Sequence, residues 1–384
     1  MVDFELYSCS KKINMPSILF LSLMNSDPWG GSEVQWGIFA KALLLRGFRV
    51  AIASHHWPGK IEKLRTLENA GATIYFFPGK EETKNIFSKL ALKKKVHQIP
   101  FDSFDWVYVN QGGWKEVAHT PFRNLYKKLP RYMLSYHNYD ATAKFSAKKR
   151  KSLAAWAGNA AYNMSDAQQV FNVIEKIFKI PVPRQVIYHN PISFELPSTA
   201  TPLPKLEHGN YLWCVLAALY IDRKAQDVLI QTLASQKWKE RNWIMNIYGD
   251  GKDKDLLQQL ILQSGLEEKI FLKGYTNRMQ EVLAAHHLIL QCTRLDAMPI
   301  SITEAMAMGR PCVVTNVGDM PQWIHHGING FVCEEPTIES IDIGLEKCWE
   351  KRHEWAEMGK NSFSIFSQKY PLPYTEKFLE LLNM

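Results

Sequence analysis

Cysteine is scarce in this sequence. The 384 residues include six cysteines, and no two of them are spaced as a CxxC pair. Cys214 and Cys312 lie within apolar runs that resemble strands, which indicates buried, reduced thiols of a cytosolic protein. Histidine occurs in three adjacent pairs, at positions 55–56, 286–287 and 325–326. Because neighbouring side chains project in different directions from a strand or a helix, these pairs predict no metal site.

Long apolar runs are absent as well, and none approaches the length that a bilayer-spanning helix requires. Residues 16–24, PSILFLSLM, follow two lysines in the manner of a secretory signal peptide. However, the stretch is short, lacks a cleavage pattern of small residues and continues directly into a Gly-Gly turn. It therefore predicts the first β-strand of a domain rather than a signal peptide.

The net charge of +8 is moderate, but basic residues concentrate in Lys84–Lys95 and Lys148–Lys151. No recognisable nucleic-acid-binding motif accompanies them, so a nucleic-acid partner is not expected. The first stretch is partly amphipathic through its apolar residues, which are Ile86, Phe87, Leu90 and Leu92. One interpretation is a peripheral contact with an anionic membrane surface. A second interpretation is a solvated helix that packs these side chains inward, and the pattern favours this one.

The chain is too long for one ordinary hydrophobic core, so the sequence predicts two domains. Strand-like and helix-like patterns alternate throughout, which is typical of α/β domains with parallel sheets. Residues 195–209 are rich in proline, threonine and serine and predict a linker. The expected domains are residues 1–195 and 205–362, both Rossmann-like, and a C-terminal helix at about 365–384 is expected to pack back on the first. Two such domains bind ligands at the carboxyl ends of their strands.

Apolar runs predict strands in both halves of the chain. In the first half they are residues 18–23, 48–53, 74–77, 106–110, 132–136 and 186–188. In the second half they are residues 211–220, 243–248, 270–274, 288–292 and 312–315. Ser32, with Gln35 three residues later, matches a capping box and is the predicted N-cap of a helix that Gly47 ends.

The segment Thr293–Gly318, TRLDAMPISITEAMAMGRPCVVTNVG, is the most informative about function. Pro299 suits the first position of a helix, because its missing N–H would be unpaired there in any case. The helix is predicted to run to Met308, and Gly309 ends it.

The start of this helix predicts an anion-binding site. N–H groups of its first turn lack intrahelical partners and favour an anion; they belong to Ile300, Ser301 and Ile302. Asp296 precedes the helix, and Glu304 lies about one turn inside it. An anion site flanked by two carboxylates suits a ligand that has a phosphate and several hydroxyls. An ordinary βαβ unit with a capped helix is the alternative.

At these residues the chain resembles a retaining GT-B glycosyltransferase of family 4, from about Leu212 to Trp355 most specifically. The family carries two glutamates with seven residues between them, and Asp296 and Glu304 keep that spacing. Three further motifs match: the glycine pair of GGSE, the GDG turn and the histidine of SYHNYD, which are Gly30, Gly31, Gly249, Asp250, Gly251 and His137. The resemblance implies a GT-B fold, with an acceptor-binding first domain and a donor-binding second domain.

The resemblance also implies roles for individual residues. Glu304 would bind the ribose hydroxyls of a sugar nucleotide, Lys224 would stabilise the departing phosphate, and Asp296 would face the donor sugar. The implied catalytic residues are His137, Lys224 and Asp296. The implied donor-binding residues are Gly30, Gly31, Ser32, Arg223, Gly249, Asp250, Gly274, Tyr275, Pro299, Ile300, Ser301 and Glu304. No metal or other cofactor is expected, because a lysine and two helix N-termini supply positive potential.

Several positions depart from the family pattern. Ala218 stands where the family has an arginine, and Arg223 is an alternative source of that charge. Ala225 replaces a usual glycine, and Gln322 replaces a usual glutamate. Asp296 in place of glutamate shortens the reach by about one ångström. These departures leave the donor sugar open and keep an inactive or unusual member as an alternative.

The leading interpretation is a retaining transferase that moves a hexose from a nucleotide-diphosphate sugar to a glycan or lipid-linked acceptor hydroxyl, in the cytoplasm or at the inner membrane face. A non-catalytic protein that binds sugar nucleotides is the second class. A dehydrogenase would require G-x-G-x-x-G after the first strand and an acid after the second, and the chain has DPWGGSE and ASHH there. A nucleotide-sugar epimerase is disfavoured because no acidic pair is obvious in the first domain.

Overall fold

The structure is a computed structural model that describes residues 15–24, 29–79, 86–137 and 143–382. Within helix Ile86–His97 the side chains of residues 86, 87 and 89 are not described. The chain forms two compact units, one of Met1–Ser135 with Ala147–Tyr162 and one of Tyr136–Ser146 with Asn163–Met384. The domain limits expected from the sequence, 1–195 and 205–362, stay predictions.

The described residues form thirteen strands in two sheets. The first sheet contains β1 Ser17–Ser22, β2 Arg49–His55, β3 Thr73–Phe77, β4 Trp106–Asn110, β5 Arg131–Tyr136, β6 Tyr162–Ser165 and β7 Gln185–Ile187. The second contains β8 Tyr211–Leu216, β9 Trp243–Tyr248, β10 Ile270–Gly274, β11 Leu288–Gln291, β12 Cys312–Thr315 and β13 Gly330–Cys333. Every run predicted as a strand overlaps one of these. The sequence missed β6 and β13, because the first, YNMS, contains two polar residues and the second, GFVC, begins with glycine, so neither forms a full apolar run.

Strand order places the candidate site within each sheet. The first sheet runs β3-β2-β1-β4-β5-β6-β7, and the second runs β10-β9-β8-β11-β12-β13. In each sheet the direction in which successive strands are added reverses near the centre. The reversal lies between β1 and β4 in the first sheet and between β8 and β11 in the second. Loops that leave the carboxyl ends of strands on the two sides of such a reversal diverge and leave a crevice for a ligand. The loops after β1, β4, β8 and β11 are therefore the expected binding loops.

Helices connect the strands. In chain order they are α1 Gly31–Leu45, α2 Pro58–Asn69, α3 Ile86–His97, α4 Ala147–Asn159, α5 Gln168–Lys176, α6 Ile221–Lys224, α7 Gln226–Leu233, α8 Gln236–Lys239, α9 Lys254–Gln263, α10 Met279–Ala284, α11 Ile300–Ala307, α12 Met320–Trp323, α13 Ile338–Glu350, α14 Trp355–Lys369 and α15 Tyr374–Leu381. In the part of the chain that the structure describes, no helix is both long and apolar enough to cross a membrane.

In the basic stretch at the start of α3, one apolar side chain does not pack inward as the sequence predicted. Leu92 is buried, as expected, but Leu90 is 57% exposed. Lys84 lies outside the described residues, and nothing is described for the side chains of Ile86 and Phe87. The prediction that these apolar side chains all pack inward was therefore wrong for Leu90. The second basic stretch, Lys148–Lys151, lies in the first turns of α4.

The C-terminal region forms two helices rather than one. Pro371 and Pro373 separate α14 from α15, because proline cannot continue a helix that approaches it. The aromatic ring of Tyr188, directly after β7, contacts the rings of Tyr374 and Phe378 in α15. The C-terminal helix thus packs on the segment that follows the first sheet.

The linker is held by a buried arginine. Arg310 has no exposed surface and donates hydrogen bonds to the carbonyls of Thr201 and Pro202, at 2.8 and 3.1 Å, and to that of Leu283 at 2.7 Å. Burial lowers the pKa of Arg310 to about 10. A charged group buried without a carboxylate needs several acceptors, and the carbonyls of this linker supply two of them.

The capping box predicted for α1 was wrong. Gly30 is the N-cap, and Ser32 lies inside the first turn, where its hydroxyl donates to the carboxylate of Glu33 at 2.5 Å. Gln35 instead accepts a hydrogen bond from the phenol of Tyr108 at 3.0 Å. A hydroxyl bonds a carboxylate more strongly than it bonds a backbone amide, which explains the change of partner. The end of the helix was predicted correctly, since Gly47 follows it with φ +79°.

A buried ion pair connects the binding loops of the first sheet. Lys60 of α2 and Glu33 of α1 lie 3.0 Å apart, and both side chains have no exposed surface. Lys60 also donates to the hydroxyls of Ser22 and Ser54 at 3.1 Å, at the ends of β1 and β2. Glu33 further accepts from the amide of Asn110 at 3.0 Å, at the end of β4. The pair thus fixes the start of α1 relative to three strand ends.

Replacement of one member of this pair should strongly destabilise the protein. Lys60→Met leaves the Glu33 carboxylate buried without its cation, which costs about 3–5 kcal/mol of unfolding free energy. Urea-induced unfolding measures the loss, with exposed Lys63→Met on the same helix as the control, expected within about 0.5 kcal/mol of wild type. The double variant Glu33→Met/Lys60→Met should recover part of the loss. Equal midpoints for Lys60→Met and Lys63→Met would show that the pair contributes nothing.

Candidate active site

In the first unit, the loop after β1 leads into the N-terminus of α1. The carbonyl of Gly30 accepts the N–H groups of Glu33 and Val34 at 3.0 and 3.1 Å, so Gly31 and Ser32 occupy the first turn. A Cβ atom on Gly30 would have no neighbour within 4 Å. The space beside this helix end is therefore open, and the helix, fifteen residues long, has the N-terminal potential that favours a phosphate.

The loop after β4 folds around a buried carboxylate. Glu116 accepts a hydrogen bond from the N–H of Lys115 at 3.0 Å. A Cβ on Gly113 would lie 2.9 Å from an oxygen of Glu116, so glycine is needed there for the carboxylate to approach the backbone. Burial, only partly offset by hydrogen bonds from N–H groups of the loop, raises the pKa of Glu116 from 4.5 to about 7. The order of this loop is therefore sensitive to pH.

The stability of the first unit should fall as the pH rises through this range. The folded pKa of Glu116 is higher than the unfolded one, so its favourable contribution is complete below pH 4.5 and is lost by pH 7. The difference amounts to about 3 kcal/mol at about 1.4 kcal/mol per pKa unit. Thermal unfolding from pH 4.5 to 8 should show a smaller decline for Glu116→Gln than for wild type.

The control is Glu62→Gln, which removes an exposed glutamate of the same unit and should retain the wild-type decline. A decline in Glu116→Gln as steep as that of wild type would contradict the assignment to Glu116.

His137 directly follows β5, at the carboxyl end of the strand, as the sequence suggested. The residues after it, 138–142, lie outside the described residues. Its implied place at the reaction centre stays a prediction.

In the second unit, the structure brings two implied catalytic residues together. Lys224 forms an ion pair with Asp296, and each side chain is 16% exposed. The other oxygen of Asp296 accepts the N–H of Ala297 at 3.0 Å. This pair joins the short helix α6, which follows β8, to the loop after β11, on the two sides of the strand reversal. The charges are shielded from bulk water but remain within reach of a ligand.

Backbone contacts hold Lys224 in place. The carbonyl of Arg223 accepts the hydroxyl of Thr293 at 2.6 Å and the N–H groups of Arg294 and Leu295 at 2.8 and 3.0 Å. Ala225 follows in the left-handed region, with φ +51°, where glycine carries no steric cost. The glycine that the resemblance predicts at this position would adopt that conformation without strain.

The side chain of Arg223 has spare hydrogen-bonding capacity. Its Nε is buried and has no hydrogen-bond partner among the described residues. The carbonyl of Ala218, where the family has an arginine, accepts the amide of Gln226 at 2.8 Å. Arg223 directly precedes Lys224 in the sequence, so its guanidinium is the candidate for a second positive charge beside Lys224.

The Gly-Asp-Gly turn packs on the loop after β8. Gly249 has φ +146°, and a Cβ there would overlap the carbonyl of Ala217. Its N–H donates to the carbonyl of Gly274 at 2.9 Å, and the carbonyl of Asp250 accepts the N–H of Leu219 at 3.0 Å. Asp250 itself is exposed and caps its own turn through Gly251. This geometry accounts for both glycines structurally, and a donor contact at Gly249 or Asp250 stays a prediction.

Tyr275, beside Gly274 at the end of β10, is 81% exposed. Gly274 has φ +75°, and a Cβ there would meet nothing within 4 Å. The position is accessible to a flat ligand group such as a base, and that contact also stays a prediction.

Helix α11 begins one residue later than predicted. Pro299 is the N-cap, and the helix covers Ile300–Ala307 before Gly309 adopts φ +68°. The N–H of Ile302 donates to the carbonyl of Pro299 at 3.1 Å, so the prediction that it is unpaired was wrong. The N–H groups of Ile300 and Ser301 remain at the helix N-terminus, where no preceding helical carbonyl is available.

Glu304 is the buried carboxylate of this helix. It is 2% exposed, and one oxygen accepts the backbone N–H of Ser193 at 2.8 Å. The side chain of Ser193 also forms a hydrogen bond with this carboxylate. Burial raises the pKa of Glu304, and the hydrogen bonds from Ser193 partly offset that effect. A buried carboxylate in the first turns of a helix is suited to accept hydrogen bonds from the hydroxyls of a ligand.

Sequence reasoning missed a third carboxyl group near this site. Asp166 follows β6, is 4% exposed and accepts the amide of Asn190 at 2.8 Å. Burial raises the pKa of Asp166 well above its usual range, and the charges of Asp296 and Asp319 raise it further. Because β6 was not predicted, the sequence gave no reason to single out the residue at its carboxyl end.

Within residues 15–24, 29–79, 86–137 and 143–382, no group of three or more histidine, cysteine, aspartate or glutamate side chains is placed to hold a metal ion. Five cysteines of the described residues are free and buried, which confirms the predicted burial of Cys214 and Cys312.

The chain has the fold of GT-B glycosyltransferases, and its second half matches a glycosyltransferase family model. Residues 206–364 match the family model described as glycosyl transferases group 1. A glycosyltransferase from Rickettsia africae superposes with a TM-score of 0.75 at 17% identity, covering 96% of this chain and 98% of that chain. The predicted fold of two Rossmann-like domains is thereby confirmed.

Two further proteins are similar to this chain. The Anabaena protein HepE, solved in complex with UDP, superposes with a TM-score of 0.73 at 20% identity over 96% of this chain and 99% of that chain. A poly(ribitol-phosphate) alpha-N-acetylglucosaminyltransferase from Staphylococcus aureus is 26% identical over 330 residues, or 82% of this chain. The match spans 63% of the length of that relative.

Proposed function

We propose that this protein is a retaining hexosyltransferase that transfers a hexose from a nucleotide-diphosphate sugar to an acceptor hydroxyl without a metal ion. The observation that carries the proposal is Glu304, a buried carboxylate in the first turns of α11 that the backbone N–H of Ser193 holds at 2.8 Å. Adjacent ribose hydroxyls supply hydrogen-bond donors that such a carboxylate accepts.

The diphosphate would bind at the N-terminus of α11. The N–H groups of Ile300 and Ser301 and the ammonium of Lys224 supply positive potential there. Phosphate contacts at Gly30 and Gly31, at the N-terminus of α1, stay a prediction. Helix termini and fixed cations stabilise developing phosphate charge in the way a metal ion would, which supports a metal-independent reaction.

The proposed chemistry is a front-side displacement. The bond between the anomeric carbon and the diphosphate oxygen breaks, and the acceptor oxygen bonds to that carbon on the same face. The acceptor proton passes to the departing phosphate oxygen, whose charge Lys224 stabilises. Asp296 accepts a hydrogen bond from the donor sugar, and His137 lines the reaction centre. The protein contributes positioning and charge stabilisation rather than a covalent intermediate.

The comparisons support a choice of donor and acceptor. HepE was solved with UDP, which supports a uridine nucleotide. The Staphylococcus aureus relative is named for an alpha linkage to a polyol-phosphate polymer, which supports a cell-surface polymer or a lipid-linked precursor as acceptor. The basic stretches and the exposed Leu90 support a cytoplasmic protein with peripheral contact to an anionic membrane face.

A second candidate is a non-catalytic protein that binds sugar nucleotides. Two observations favour it. Ala218 stands where the family pattern has an arginine, and Lys224, whose ammonium would stabilise the phosphate, is paired with Asp296. This candidate predicts donor binding without transfer.

A thermal-shift screen with UDP-, GDP- and ADP-sugars tests the binding step. We expect one nucleotide to raise the unfolding temperature selectively and Glu304→Ala to abolish that rise while it still folds. Exposed Glu268→Ala serves as the control and should retain the rise. No shift with any donor, or a full shift in Glu304→Ala, would overturn the proposal.

The transfer step is tested with the selected donor and a panel of polyol-phosphate and glycan acceptors. Proton NMR of the product should show the anomeric configuration of the donor, and EDTA should not change the rate. An inverted product would contradict retention, and loss of activity in EDTA would contradict metal independence. Binding without transfer to any acceptor would favour the second candidate.

A further inference from the structure

A segment between β7 and the linker is held by tyrosines of the C-terminal region. The phenol oxygen of Tyr370 accepts the N–H of Ile192 at 3.1 Å and donates to the carbonyl of Asn190 at 3.0 Å. Tyr370 itself is 4% exposed. One side chain therefore fixes two peptide groups on either side of Pro191.

The aromatic rings around Tyr370 restrict its movement. Its ring stacks on Phe366 at a centroid distance of 4.7 Å and on Tyr374 at 5.7 Å. The phenol of Tyr374 donates to the carbonyl of His189 at 2.7 Å, one residue before the peptides that Tyr370 holds. The two tyrosines thus make similar bonds to neighbouring points of the same segment.

The segment ends on the candidate active site. Ser193, the residue after Ile192, donates the N–H that holds one oxygen of Glu304 at 2.8 Å. This N–H belongs to the peptide that joins Ile192 to Ser193, so its direction depends on how Ile192 is held. Tyr370 is the side chain that holds the N–H of Ile192.

A second contact joins the C-terminal region to the helix that carries Glu304. Helix α14, which precedes Tyr370, packs against α11, which carries Glu304. At their closest approach a Cβ on Gly359 would overlap the carbonyl of Gly309. The contacts therefore form a closed path from Glu304 through α11, α14, Tyr370 and Ser193 back to Glu304.

We propose that Tyr370 is a positioning residue of the donor site, which orients the Ser193 N–H and through it the carboxylate of Glu304 toward ribose hydroxyls. The inference rests on the proposed function, since it assigns Tyr370 an effect on the ribose that Glu304 is proposed to bind. The Ser193 hydrogen bond also favours the ionised form of Glu304 against the effect of burial, which raises its pKa. Only the ionised form presents two acceptor oxygens.

The test compares Tyr370→Phe with Tyr374→Phe. Both variants keep their ring stacks, and Tyr374→Phe removes the bond to the carbonyl of His189. Isothermal titration measures the affinity of each for UDP, GDP and ADP, and competition measures the affinity for inorganic pyrophosphate, which lacks ribose. Tyr370→Phe should weaken the preferred nucleoside diphosphate about tenfold, the equivalent of one hydrogen bond, and leave pyrophosphate unchanged. Tyr374→Phe should change neither.

Unfolding temperatures of the two variants separate positioning from general loss of structure. A similar decrease in both, with the affinity change confined to Tyr370→Phe and nucleoside diphosphates, would support the inference. Equal affinities in both variants, or a parallel loss of pyrophosphate binding, would overturn it and leave the proposed function intact. If the wild-type protein binds no nucleoside diphosphate, the proposed function and this inference are both overturned.

Discussion

The hydrogen bond from the Ser193 N–H to Glu304 is the interaction on which the candidate site depends. A carboxylate that is 2% exposed is costly unless hydrogen bonds replace its water, and Ser193 provides such bonds from its backbone and its side chain. The position of the backbone donor depends on the course of the chain rather than on a rotamer. The C-terminal tyrosines, the packing of α14 on α11 and the path out of β7 all contribute to that course.

Charged groups are used differently in the two units. The pair of Lys60 and Glu33 has no exposed surface and every strand end around it contributes a hydrogen bond, so it serves as a fixed connection beneath the start of α1. The pair of Lys224 and Asp296 is partly exposed and joins α6 to the loop after β11 at the strand reversal. A ligand can compete for the second pair but not for the first. The same chemistry therefore stabilises the fold in one place and remains available for binding in the other.

Local signals in the sequence predicted much of the fold and part of the site. Strand runs and the Pro299–Gly309 helix follow from apolar runs, proline and glycine, which act within a few residues. Two local predictions were wrong. Ser32 bonds the carboxylate of Glu33 instead of a helix N–H, and Leu90 is exposed instead of packed inward. Ser193 and Tyr370 could not be predicted as neighbours of Glu304, because contacts over more than 60 residues leave no local pattern.

The most direct test of the central claim is a comparison of ligands that differ only at the ribose. The affinities of wild type and Glu304→Ala for UDP and for 2′,3′-dideoxy-UDP, measured by isothermal titration, isolate the contact between Glu304 and the ribose hydroxyls. The account predicts that wild type prefers UDP by about tenfold or more, as expected for hydrogen bonds to a charged group, and that Glu304→Ala binds both ligands equally. An undiminished preference for UDP in Glu304→Ala would contradict it.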